Sequence, residues 1–182
     1  MTEQNGPSVY DYSPHQAAMN RLYELHVAAL TSRRYHGAKL RAVSRWIAIV
    51  DAVTAIASSA AIATFALSGA KAGPVLYAVL TSLAAIAAVG RTAFKLSERA
   101  DRHARMSTAW SEVFLDMDRL IGLIRLENRL SEARLAQIDD LVVRFQRVEM
   151  MDDPEPDRAL HERCHREALE ALPSERRWLP QS

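Results

Sequence analysis

One cysteine, Cys164, stands in 182 residues, so no internal disulfide can form and a reducing compartment suits the soluble part of the chain. Residues 1–13 are polar and hold no apolar core behind a basic start, so a cleaved signal peptide is not expected. There is no glycine-rich phosphate loop, no Ser-His-Asp arrangement on a credible scaffold and no carboxylate pair of the glycosidase type. Catalytic residues and cofactors are therefore not expected, and neither is an enzyme. No internal repeat occurs, and the length suits one small unit better than several enzyme-sized domains. Acidic residues are missing between Thr31 and Trp46, where Arg33, Arg34, Lys39, Arg41 and Arg45 lie. The net charge of +1 hides this local asymmetry.

What is present is apolar length. Trp46 to Leu67 and Ala72 to Gly90 are two long apolar segments joined by Ser68-Gly69-Ala70-Lys71, with Asp51 the only ionisable side chain in the first and none in the second. At about 1.5 Å per residue, roughly 22 and 19 residues reach about 33 and 28 Å, enough to cross a hydrocarbon core about 30 Å thick. The expectation is an all-α protein, a two-helix transmembrane hairpin (46–67 and 72–90) continuous with a cytoplasmic helical bundle. Basic residues before Trp46 and after Gly90, namely Arg91, Lys95, Arg99, Arg102 and Arg105, put both termini in the cytoplasm of a bacterial inner membrane. Small residues dominate both segments, which suits close helix contact. An alanine-rich soluble hairpin is the alternative.

Around the hairpin the sequence predicts a flexible N-terminus (1–13), an amphipathic and basic helix (14–45), a cytoplasmic helical domain (91–172) and a flexible tail (173–182). Ser13-Pro14 marks a helix start, and Ala18, Leu22, Leu25 and Ala29 form one apolar face. Met106, Trp110, Val113, Met117, Leu120 and Ile124 follow the steps of a coiled-coil seam. A further amphipathic helix, with Ser131 as its cap, carries Leu135, Ile138, Leu141, Phe145 and Val148, and a last helix runs from about Asp157 to Leu172.

Three constellations could carry chemistry. His161-Glu162-Arg163-Cys164-His165 satisfies H-E-x-x-H, but a catalytic zinc needs a third ligand and a shaped pocket, neither evident, so no metal is expected. Asp51, Thr54, Ser58, Ala61 and Phe65 share one face of the first segment, polar at one end and apolar at the other. In a ring of hairpins they would line a pore, with Asp51 favouring cations and Phe65 closing by dewetting; otherwise Asp51 pairs with Arg45 or Arg91 at the interface. Arg33, Arg34, Lys39, Arg41, Arg99, Arg102 and Arg105 form a basic collar that serves either anionic lipid headgroups or a phosphate-bearing ligand such as a nucleotide or short oligonucleotide.

The basic helix leading into an Ala/Ser-rich span, the turn at Ser68 to Gly73, the long helix with Arg102-His103 and Trp110, the Asp153-Pro154 break and the closing His161 to Leu172 helix together resemble the SLATT proteins. These are two-transmembrane effectors associated with bacterial nucleotidyltransferase and nucleotide-sensing modules. The resemblance spans Leu22 to Leu172 and rests on architecture, so no binding residue is carried over. It implies an anti-phage, abortive-infection effector that assembles as a homo-oligomer, a tetramer being favoured, and opens a pore in the membrane. Control would come from a nucleotide or short oligonucleotide made by a partner nucleotidyltransferase, without duplex nucleic acid. A membrane-anchored scaffold or signalling adaptor without pore activity is the competing reading.

Overall fold

The computed structural model describes residues 14–67, 94–152, 156–174 and 177–179, together with 75, 78–79, 81–82, 84–86 and 89; at 58 and 60–67 the description covers the backbone only. Every regular element longer than a turn among them is helical. Helix α1 is Pro14–Leu67, α2 is Leu96–Glu127, α3 is Glu132–Glu149 and α4 is Arg158–Ala171. The chain divides into two compact units, one made by Met1–Tyr35 with Thr108–Ser182 and the other by His36–Ser107.

Local chemistry explains these bounds. Proline suits a first helical position because the amide hydrogen it lacks has no partner there, and α1 starts at Pro14. No further proline occurs before Pro74, and a single interior glycine, Gly37, costs too little to stop the helix. The result is one helix of 54 residues. Helix α2 opens after Lys95, at φ 48°, and closes at Asn128, at φ 49°. Asparagine is among the few residues that adopt this left-handed conformation readily. The expected Ser131 start of α3 is found with extended backbone, φ −81° and ψ 162°, although its hydroxyl makes no capping bond. At α4, Asp157 Oδ1 accepts from the Leu160 amide at 3.2 Å.

Within the first unit the core is a set of helical stripes. All six positions of the expected seam, from Met106 to Ile124, are buried. Ile138, Leu141, Phe145 and Val148 of α3 are buried in the first unit as well, and so are Met19, Leu22, Val27, Ala29 and Leu30 of α1. Trp110 sets its ring edge-on to Phe145 at 5.0 Å, and its indole N–H donates to Asp152 Oδ2 at 2.9 Å. Cys164 and Ala168 turn the buried face of α4 inward, and Val27, Leu30 and Ala168 form a cluster with Phe114 and Leu172 against it. The end of the chain is tied down: Tyr23 Oη accepts from the Trp178 amide at 2.9 Å and donates to the Trp178 carbonyl at 3.2 Å. Trp178 Nε1 donates to Asn128 Oδ1 at 3.0 Å.

The membrane hairpin is the expectation that fails. Among the described residues no helix is long and apolar enough to cross a membrane, which overturns the transmembrane hairpin of 46–67 and 72–90. The inner-membrane location with both termini cytoplasmic, which rested on it, falls with it. Trp46 to Leu67 is the last stretch of a helix whose preceding turns are strongly basic. Its alanines, serines and threonines contribute little of the transfer free energy that leucine or phenylalanine would supply, while a carboxylate such as Asp51 opposes insertion by about 3 kcal/mol. The second segment, 72–90, lies largely outside the described residues.

Candidate functional site

The first unit holds a cavity of about 200 Å³ where α1, α2, the end of α4 and the tail converge. Tyr23, His26 and Val27 line it from α1, Asp118, Ile121 and Arg125 from α2, and Arg177 from the tail. His26 falls on the buried face of α1 because Leu22, Tyr23, Val27 and Leu30 fix that face by their helical spacing. Its ring stacks on Phe114, 4.5 Å between centroids and 13° from parallel, and only 3% of the residue is exposed.

The imidazole is the unusual group. Nε2 of His26 has no hydrogen-bond partner, and Oδ1 of Asp118, at 3.8 Å, is beyond bonding distance. Burial pushes its pKa down to about 4; Asp118 opposes the fall and Arg125 adds to it. The ring is therefore neutral at neutral pH. A buried polar atom left without a partner costs about 1–3 kcal/mol, so it is rare unless something else satisfies it. Around it, Arg125 Nη2 donates to Tyr23 Oη at 3.4 Å, and the Arg177 guanidinium lies 5.6 Å from the centre of the Tyr23 ring. Two guanidinium groups against one carboxylate leave the wall with a net positive charge.

A second cavity of the same unit, about 400 Å³, receives the H-E-x-x-H residues. His161 and His165 line it beside Thr31, Tyr35 and Trp110. His161 meets the Tyr35 ring edge at 6.1 Å, while the Thr31 hydroxyl donates to the Val27 carbonyl at 2.9 Å and lies 3.4 Å from His165 Nδ1. Glu162 is exposed and Cys164 is buried. Among the described residues no three His, Cys, Asp or Glu side chains are grouped to hold a metal. The two histidines serve the contact between α4 and α1.

Of the five residues expected to line a pore, two have described side chains. Asp51 is exposed, and the Thr54 hydroxyl is turned back onto the Val50 carbonyl at 2.8 Å. Ser58, Ala61 and Phe65 continue α1, their side chains lying outside the description. Without a membrane-crossing helix among the described residues the ion-channel reading is withdrawn. The basic residues fall into both units. In the first, Arg33 lies over the Phe114 ring at 5.6 Å and Arg34 is 3.8 Å from Glu167. In the second, α1 and α2 meet where Nδ1 of His36 and Nδ1 of His103 are 3.0 Å apart, one donating and one accepting. Half-buried Lys39 and exposed Arg41, Arg99, Arg102 and Arg105 lie within about two helical turns of that contact.

His26, Asp118, Arg125 and Arg177 had no place among the sequence-derived candidates. The only available signal was a histidine set inside an otherwise apolar helical stripe. No family model, curated protein or solved structure matches this chain.

Proposed function

We propose that the chain is a non-catalytic, self-assembling helical adaptor, whose second unit joins copies through α1. The observation that carries this reading is a stripe of large apolar side chains left in solvent. Trp46, Ile49, Val53 and Ile56 are 62%, 52%, 41% and 68% exposed, and they follow one another in steps of three, four and three. Scattered apolar residues on a surface need no explanation, but an aligned row of four on one helix face marks an interaction surface.

The spacing favours a second copy as the occupant. Steps of three and four make a seam in which each side chain enters a hole between four residues of the facing helix, so an identical helix supplies both knobs and holes. Ala42, Ala60 and Ala63 continue the same register in the sequence. Asp51 lies on the opposite face of the heptad, where its charge does not meet the seam. Two differently tagged copies expressed together test the reading. Each should capture the other, and Val53→Glu with Ile56→Glu should abolish capture, while Leu126→Glu, at an 85% exposed position in the first unit, should not.

A second reading concerns control. Half-buried Lys39 and exposed Arg41, Arg99, Arg102 and Arg105, near the contact of His36 with His103, fit a phosphate-bearing ligand, a nucleotide or short oligonucleotide. Such binding to a short single strand would weaken steeply with salt, because each neutralised phosphate releases counterions. Charge reversal at Arg99 and Arg102 should reduce both the affinity and the salt slope.

A further inference from the structure

The cavity at His26 reaches beyond assembly, because its lining joins hydrogen-bond acceptors with guanidinium donors. Two acceptors, Asp118 Oδ1 and the unpartnered Nε2 of His26, stand 3.8 Å apart. A neutral imidazole whose Nε2 carried the proton would be drawn to the carboxylate, so the separation fits an Nε2 that offers its lone pair. Two acceptors at this spacing suit one group with at least two protons to give, as an ammonium has. Arg125 and Arg177 line the same cavity beside Tyr23, and a guanidinium, with five donors, matches a carboxylate.

We propose that this cavity is a binding site for a small amino-carboxylic acid, its ammonium between His26 and Asp118 and its carboxylate toward Arg125 and Arg177. About 200 Å³ admits a compound of a few carbon atoms and excludes a nucleotide. The Tyr23 hydroxyl, which holds Trp178 by two hydrogen bonds, ties the segment carrying Arg177 to the rim. The ligand thus meets three parts of the chain that are far apart in sequence: α1, α2 and the tail.

Isothermal titration calorimetry on the full chain tests this with glycine, β-alanine and 4-aminobutanoate, which differ in the distance between the two charges. Saturable binding of at least one is expected, with acetate and ethylamine, each carrying one charged end, at least tenfold weaker. Asp118→Asn and Arg177→Gln alter exposed or half-buried side chains and leave the buried core in place. Each should weaken the preferred compound at least tenfold, with the circular dichroism spectrum unchanged. Failure of all three compounds to bind overturns the proposal, and so does binding that both substitutions leave intact. Equally tight binding of acetate would show an unspecific anion site and would also overturn it.

Discussion

Acidification should loosen the first unit through one side chain. The His26 imidazole titrates near 6.5 when the chain is unfolded and at about 4 when folded, so between these values the unfolded state binds the extra proton. Stability from this group is complete above about pH 6.5 and is lost as the pH falls toward 4. A difference of about 2.5 pH units corresponds to about 3 kcal/mol, a large part of what holds a small domain together. Burial is the main cause, Asp118 of α2 acts against it and Arg125 of α2 with it. Urea unfolding at a series of pH values measures the effect. His26→Phe keeps a ring to stack on Phe114 and removes the titrating nitrogen, so its stability should fall about 3 kcal/mol less than that of the natural chain over the same interval. Parallel curves for the two proteins would refute the reasoning, because the lost stability would then come from other groups.

Four further changes follow from the packing. A Cβ at Gly37 would meet Arg41 Nη1 at 3.6 Å and Ser107 Oγ at 3.9 Å, and one at Gly122 would meet nothing within 4 Å; each Gly→Ala change should therefore stabilise by about 0.5–1 kcal/mol in thermal unfolding. Asp157→Ala removes the α4 cap and should cost about 1 kcal/mol in the same assay. Trp110→Phe leaves Asp152 without its indole donor and opens space beside Phe145, for a loss of about 1–3 kcal/mol in urea unfolding.

The sequence was most readable where one periodicity governs burial. The six seam positions from Met106 to Ile124 and the Asp157 start of α4 could be placed because spacing and capping are local properties. Hydropathy misled at Trp46 to Leu67, because a run of alanine with few charges looks alike whether it faces lipid or protein. The basic residues look like one collar in the sequence, yet Arg33 and Arg34 belong to a different unit from Lys39, Arg41, Arg99, Arg102 and Arg105. The His26 cavity was illegible for a different reason. Its lining runs from Tyr23 near the start of α1 to Arg177 in the tail, and no short motif encodes such a meeting.

Sedimentation equilibrium of the full chain over a wide concentration range is the most direct measure of self-assembly. The natural protein should show a mass at a small whole multiple of 20.3 kDa, and the Val53→Glu, Ile56→Glu double substitution should return it to the single-chain value. A natural chain that stays at the single-chain mass throughout, or an oligomer indifferent to those two substitutions, would contradict the account.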